Sequence, residues 1–127
     1  MAKTQNTTTP LASGSVAANT DAGTTAIDVT TKAGAMFRVK VTCGATAPTV
    51  APTFRALSST DNTNFDADVN GGRYYEKVSF PIPANNATAY YDVPVDVTFV
   101  SYIKPIVRNE DSSQALTMEI VCVTSAF

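Results

Sequence analysis

The stretch that decides the fold lies near the C-terminus, as TFVSYIKPIVR at residues 98–108 and ALTMEIVCV at residues 115–123. In the second segment Leu116, Met118, Ile120 and Cys122 fall on one parity, and the residues between them fall on the other. A period of two is typical of a strand with one buried face. The intervening NEDSSQ at residues 109–114 has turn chemistry and no apolar side chain. The pattern predicts a β-hairpin that closes an antiparallel sheet.

Similar short segments recur along the chain between loops rich in Pro, Asn, Asp and Gly. We expect strands at residues 26–30, 36–43, 53–58, 73–80 and 87–95, and a short return strand that could begin at Phe65. Pro94 favours an edge position for the last of these, and Pro105 indicates a bulge or an edge. No segment of ten residues has a helical period. The sequence predicts an all-β fold, an antiparallel two-sheet sandwich of seven or eight strands, Ig-like or jelly-roll.

Residues 1–24 differ from the rest of the chain. Leu11 and Val16 are their only large apolar residues apart from Met1. Such a segment cannot bury enough surface to offset the entropy of ordering it. We therefore expect an extended polar N-terminal arm at residues 1–24 and a β-sandwich domain at residues 25–127. If the arm contacts a neighbouring subunit, Leu11 and Val16 are the candidate contact residues.

Composition limits the class of partner. The 127 residues fit one domain, and only 16% of them are charged, against about a quarter in typical proteins. A surface poor in charge suits one that neighbours cover. The net charge of −2, without a basic run, argues against nucleic-acid binding. No apolar stretch is long enough for a membrane span or resembles a secretory signal, so we expect synthesis in the cytoplasm and no membrane partner.

The two cysteines, Cys43 and Cys122, both lie on the apolar parity of their segments. We expect buried free thiols that act as small hydrophobic side chains. A disulfide between an early and a late strand remains the alternative in an oxidising compartment.

Catalytic chemistry finds little support. The chain contains no His and no Trp, which excludes a Ser-His-Asp triad, a Cys-His nucleophile and imidazole-bound zinc. A pair of carboxylates could still act as a glycosidase. The acidic residues, however, are scattered over turns and outward strand positions. We expect no enzymatic activity and no cofactor.

One segment matches the opening of a calcium-binding loop. In DADVNG, Asp66, Asp68 and Asn70 occupy the first three ligand positions and Gly71 the sharp turn. The twelfth position, which should be Glu, is Lys77. An ordinary polar turn is the favoured interpretation, with Asp66, Asp68 and Asn70 as a weak calcium candidate.

Two tyrosine doublets, Tyr74-Tyr75 and Tyr90-Tyr91, could form an aromatic platform for sugars. In a strand, successive side chains point to opposite faces. We therefore expect one ring of each doublet in the core and one at the rim. A carbohydrate-binding module remains the alternative function from a different class.

Two segments resemble small virion proteins of tailed bacteriophages. In TFRALSSTDNTNF at residues 53–65, a strand ends in the pattern Ser-x-Asp-Gly-x-x-aromatic, with Asn62 in place of Gly. Asn tolerates the positive φ that such a turn needs. The segment PVDVTFVSYIKPIVRN at residues 94–109 is similar to that group too, apart from Pro105. The resemblance covers residues 53–123 and implies a non-enzymatic virion structural protein of β-sandwich type.

Within that group, the resemblance implies a capsid decoration or cement subunit that binds the shell through its sandwich and its N-terminal arm. A neck, tail or fibre protein is the alternative. The implied partners are the major capsid protein or another virion protein, and sister subunits in a homo-oligomer. The implied location is the virion, after synthesis in the host cytoplasm.

Overall fold

The computed structural model describes residues 4–22, 25–66, 77–98 and 100–126, and these form strands without any helix. The strands are β1 (Thr4–Val16), β2 (Thr20–Ala22), β3 (Ile27–Asp28), β4 (Gly34–Thr42), β5 (Thr53–Ser59), β6 (Val78–Ser79), β7 (Thr88–Val95), β8 (Tyr102–Asn109) and β9 (Leu116–Ala126). No helix that could span a membrane occurs in this part of the chain. The predicted all-β class is confirmed.

The strands form two packed antiparallel sheets. The first sheet has the order β1-β9-β4-β7, and the second has the order β2-β8-β5-β6, with β3 also paired to β8. β2 and β3 both pair with β8 and lie on the same edge of the second sheet. In an immunoglobulin sandwich several sequence neighbours lie side by side. Among the main strands that the structure describes here, only β5 and β6 are neighbours both in sequence and within a sheet. Almost every other connection crosses from one sheet to the other. This is the jelly-roll order.

The C-terminal strands do not form the expected hairpin, so that prediction is wrong. β8 pairs with β5 in the second sheet, whereas β9 pairs with β1 and β4 in the first. The connection between Asn109 and Leu116 therefore arches across the sandwich. Alternation predicts only that each strand has one buried face. Both apolar faces are buried when the two strands face each other across the core.

Pro105 lies in β8 between the residues that pair with β2 and those that pair with β3. β2 ends with Ala22 opposite Val107, and β3 begins with Ile27 opposite Ile103. Of the residues between β2 and β3, Thr25 and Ala26 are not in a strand, and residues 23–24 lie outside the described residues. On its other side β8 pairs with β5 without a register shift, with Pro105 opposite Ala56, so the ladder with β5 has no bulge at this proline.

The core lies between the inward faces of the two sheets. Alternate residues of β4 and β9 supply much of it, and each of these is at most 2% exposed: Phe37, Val39, Val41, Leu116, Met118, Ile120 and Cys122. The Phe54 ring of β5 lies 5.5 Å from the Phe37 ring and 6.4 Å from the Phe80 ring, measured between centroids. The inward parity read from the sequence agrees with this arrangement.

The structure differs from the expectation of a separate N-terminal arm. Residues Thr4–Val16 are extended, but they form the edge strand β1 of the first sheet and pair with β9. Residues Thr20–Ala22 pair with β8 in the second sheet. Backbone hydrogen bonds to the neighbouring strand hold a segment that has few apolar side chains of its own. Ten of the thirteen residues of β1 are nevertheless exposed.

Asparagines close three of the turns in the left-handed conformation. Asn19, Asn62 and Asn86 have φ values of 53°, 61° and 59°. The positive φ expected at Asn62 is confirmed, as is a turn at residues 85–86. Phe65 begins no strand. Of the strand predicted at residues 73–80, Val78–Ser79 is seen, and residues 73–76 lie outside the described residues.

Candidate functional site

One flank of the sandwich is open. The edge strands β1 of the first sheet and β3 of the second sheet border a groove of about 420 Å³. Its lining is mostly uncharged and includes Asn6, Thr8, Pro10 and Ile27. The lining also has one acidic side chain, Asp28, and one basic side chain, Lys32. Because Asn6 and Thr8 are exposed, the inner side of β1 is not covered by the second sheet there.

The charged residues of this groove are already engaged. The Asp28 carboxylate accepts hydrogen bonds from the Thr30 hydroxyl at 2.6 Å and from the Thr30 backbone N–H at 2.9 Å. These bonds lower the pKa of Asp28. With the Asn6 amide oriented so that its oxygen faces Lys32, that oxygen accepts a hydrogen bond from the Lys32 ammonium at 3.1 Å. Apart from Asp28 and Lys32, the groove is lined by uncharged residues.

The two proposed subunit-contact residues lie inside their own molecule. Val16 is 5% exposed and is paired with Leu116, and Leu11 is half-buried opposite Ile120. Both pack against the core. Leu11 and Val16 thus anchor β1 to its own sandwich in this arrangement, and the surface that β1 offers to a neighbour consists of its other residues.

The weak calcium candidate is described only at its first residue. The Asp66 carboxylate accepts a hydrogen bond from the Ser58 N–H at 2.7 Å, and the Asp66 N–H donates to the Ser58 carbonyl at 3.0 Å. Asp68 and Asn70 lie outside the described residues. Among the residues that the structure describes, no group of three or more His, Cys, Asp or Glu side chains could hold a metal ion.

The second tyrosine doublet follows the alternation of its strand. Tyr91 is half-buried, stacks on Phe80 with ring centroids 4.7 Å apart, and donates its hydroxyl to the Pro81 carbonyl. Burial raises the pKa of Tyr91. Tyr90 is 60% exposed, with the Arg38 guanidinium 5.9 Å from its ring centroid. Tyr74 and Tyr75 lie outside the described residues, so the described surface offers a single exposed tyrosine of the four.

Both cysteines are free and buried. Burial raises the pKa of Cys43, and raises that of Cys122 to about 11. The Cys43 thiol lies 3.6 Å from the Pro83 carbonyl. Thiols that are protonated and shielded in this way are poor nucleophiles.

A buried carboxylate that the sequence analysis did not identify braces one end of the sandwich. Asp111, in the connection between β8 and β9, is 2% exposed. One of its oxygens accepts from the N–H groups of Thr49 and Val50, at 2.9 and 3.3 Å, and the other from those of Ser113 and Gln114, at 3.0 and 2.8 Å. These bonds, that from Gln114 first, hold the pKa of Asp111 well below its usual range.

The same end of the molecule ties the start of the chain to its C-terminal part. The Asn19 N–H donates to the Asp111 carbonyl at 2.9 Å, and the Asn109 side chain donates to the Val16 carbonyl at 3.1 Å. The C-terminal end of β1 is thus fixed. The polar composition of residues 109–114 signalled a turn, but no local signal could identify donors that lie some sixty residues away.

The outer face of the second sheet carries an ion network. The Asp21 carboxylate of β2 accepts from Arg55 at 2.9 Å and from Arg108 at 3.2 Å. Arg108 also bonds Glu110 at 2.8 Å, and Lys77 lies 3.6 Å from Glu110. Partial burial of Asp21 opposes its ionisation, but the two guanidinium groups outweigh that effect and lower its pKa. This network joins the strands β2, β5 and β8.

The outer face of the first sheet is different. At one end Val123 lies opposite Met36, and Met36 lies opposite Pro94, which makes an uncharged row across three strands. Met36 is 39% exposed. Towards the middle, Arg38 forms a two-pronged ion pair with Asp92 at 2.8 and 3.1 Å. We call Val123, Met36 and Pro94 the uncharged row.

No protein-family model and no curated protein sequence matches the chain. Solved structures do match its fold. A SPBc2 prophage-derived protein, YomS, is similar over 99% of this chain and 96% of its own, with a TM-score of 0.51 and 11% identity. The VP2 subviral particle of infectious bursal disease virus matches over 98% of this chain, with a TM-score of 0.58 and 6% identity. The T13 particle of the same virus matches with a TM-score of 0.57 and 9% identity.

This chain spans nearly the whole of the prophage-derived protein but about a third of each capsid chain, 33% and 31%. At such low identity the likeness concerns the fold. It places the chain among β-sandwiches that occur in a prophage-derived protein and in viral particles.

Proposed function

We propose that the protein is a non-enzymatic structural subunit of a phage particle, and most specifically a capsid decoration or cement subunit. The observation that carries this proposal is the similarity of the fold, over almost the full chain, to a prophage-derived protein and to part of a viral particle protein. The described carboxylates support it, because they cap turns and pair with arginines instead of converging on one site.

A decoration subunit must present a surface whose desolvation on binding costs little free energy. The uncharged row on the outer face of the first sheet has this property, since the cores of protein interfaces are depleted of charge. The outer face of the second sheet is less suited, because Asp21, Arg55 and Arg108 already satisfy one another there. We therefore assign the particle-facing surface to the first sheet. Copies that also contact one another on the shell gain an avidity that no single contact has.

The experiment is to bind the purified protein to phage particles that lack it. Saturable co-sedimentation with many copies spread over the shell is the expected result, and density for the protein should cover the capsid surface. A few copies confined to one vertex would identify a neck, tail or fibre protein instead. Absence from purified particles, together with failure to bind them, would overturn the virion role.

Variants on the first sheet test the assigned surface. Met36→Glu places a charge in the uncharged row and should weaken particle binding. Thr88→Glu, at the opposite end of the same face, should leave binding unchanged. Both positions are exposed, so neither substitution should disturb the fold. Equal binding by the two variants would move the contact away from the uncharged row.

The absence of catalytic chemistry has its own test. The protein should not hydrolyse common glycans or esters, and a chelator should leave its melting temperature unchanged. A fall of many degrees with EDTA would instead establish structural calcium at Asp66, Asp68 and Asn70.

A further inference from the structure

The outer edges of the two sheets differ in how they resist pairing with another chain. An exposed edge strand presents unpaired N–H and C=O groups, and proteins protect such edges with charges, proline or very short strands. Strand β6 has only two residues. The edge strands β2 and β3 are short and carry Asp21 and Asp28, and β7 carries Asp92 and Pro94. In the part of the chain that the structure describes, three of the four sheet edges are thus protected.

The N-terminal half of β1 has none of these protections. The segment Thr4–Thr9, TQNTTT, holds no charge and no proline, and all six residues are exposed. Its ladder with β9 runs without a register shift from Thr4 to Thr8, and in the described part of the chain β9 is the one strand that β1 pairs with. Pro10 and the two register shifts come after Thr8. We call Thr4–Thr9 the free edge.

We infer that the free edge pairs antiparallel with the free edge of a second copy, which joins two first sheets into one continuous sheet across a twofold axis. This inference goes beyond the virion role, because it concerns the isolated protein and stands on the strand edges alone.

The composition of the free edge argues for a second copy as the partner. Antiparallel self-pairing brings a strand against its own sequence in reverse, so any charge would meet a like charge near the axis. A twofold axis normal to the sheet places residues of the same parity opposite each other. With Thr7 opposite Thr7 of the partner subunit, the flanking pairs are Asn6 with Thr8 and Gln5 with Thr9, so each pair joins Thr, Asn or Gln. Cross-strand Thr pairs stabilise a sheet, and like charges placed opposite each other destabilise it.

The surroundings of the free edge fit the same arrangement. Thr7 lies beside Val123, and Val123 lies beside Met36, so the outer face next to the joint has no ion to desolvate. In a twofold dimer the same edge of each copy lies in the interface and is no longer available for pairing. Since the other three edges are protected, association should stop at the dimer.

Paired charge variants at Thr7 test the inference. Thr7→Glu and Thr7→Lys each place like charges across the axis, and each should raise the dimer dissociation constant by about tenfold or more. An equimolar mixture of the two variants should restore dimers, because opposite charges then meet. Sedimentation equilibrium over a concentration series measures all three. Thr88→Glu, on the opposite edge of the same sheet, is the matched control and should dimerise like the wild type.

Hydrogen exchange supplies a second readout. Successive backbone N–H groups of a strand point to opposite sides, so dimerisation should protect every second amide of the free edge. A wild type that stays monomeric at all concentrations would overturn the inference, as would Thr7 variants that dimerise normally or a mixture that does not recover. Failure to bind particles, with the dimer intact, would count against the virion role alone.

Discussion

Strands β1 and β9 lie side by side in the first sheet, yet they contribute to the protein in opposite ways. In β9, Leu116, Met118, Ile120 and Cys122 fill the core between the sheets. β1 is the longer strand, with thirteen residues, but only Val16 of them is fully buried. The backbone ladder is common to both strands. The difference shows that backbone pairing is enough to place a strand in this fold. The stability of the fold depends on a strand only when its alternate apolar side chains are buried.

The sharpest test of this comparison is on β9. Ile120→Ala removes a side chain that is 0% exposed and should lower the free energy of unfolding by about 2–5 kcal/mol. Val121→Ala, one residue along on the outer face, should cost under about 1 kcal/mol. Urea denaturation of both variants measures the difference. Equal losses would mean that the two faces of β9 are assigned wrongly.

The second test concerns the connection between β8 and β9, whose Asp111 carboxylate binds the loop at Thr49 and Val50. In Asp111→Asn, one amide nitrogen replaces an oxygen that accepts backbone N–H groups, so the melting temperature should fall, by less than in Ile120→Ala. Because the folded pKa of Asp111 is lowered, its stabilisation is complete above the unfolded pKa of about 3.9 and is lost as the pH falls below that value.

The stability gap between wild type and Asp111→Asn should therefore narrow in acid. Thermal melts between pH 7 and the acid limit of solubility provide the measurement. Ser112→Ala, at an exposed neighbouring position, serves as the control and should show no gap at any pH. A gap that stays constant with pH would show that Asp111 acts through shape alone.

Truncation tests the exposed half of β1. Deleting residues 2–9 removes the free edge but keeps Leu11 and Val16, so the fold should survive with a smaller loss of stability than in Asp111→Asn. Backbone amides within Cys122–Ala126 should exchange faster, because they lose their partners in β1. Unfolding of the truncated protein would show that the exposed ladder is as essential as the core.

The smallest expected effect is at the thiols. Cys122 lies opposite Thr8, yet its own side chain points into the core. In the native protein both Cys43 and Cys122 should resist a thiol reagent at pH 8, and both should react after denaturation. Burial keeps these thiols protonated, since the pKa of Cys122 is about 11. Rapid labelling of Cys122 alone would reveal that β1 opens from β9 in solution.

Several features of the fold could be predicted from the sequence. Alternation identified the inward faces of β4 and β9, because side-chain direction in a strand is a local property with a period of two. Pro94 marked an edge strand, and Asn62 marked a turn with positive φ. Each of these depends on the chemistry of one or a few neighbouring residues.

Other features could not be predicted in this way. The expected hairpin between β8 and β9 proved to be a crossing between sheets, and the expected N-terminal arm proved to be paired with β9. The composition of residues 109–115 is compatible both with a hairpin and with a crossing between the sheets. The low apolar content of residues 1–24 indicated weak burial, which is correct for β1, but burial does not report backbone pairing.

By itself, then, the sequence determined an all-β chain, the parity of its core and the absence of histidine chemistry, because these follow from residue type and local spacing. Only the tertiary structure decided which strands are neighbours, that β2 and β3 both pair with β8, and that Asp111 joins two distant loops. Those outcomes depend on groups brought together from far along the chain. Thr49, for example, donates to Asp111 across 62 positions of sequence. The free edge of β1 belongs to the same class, since an edge exists only once the order of the strands is known.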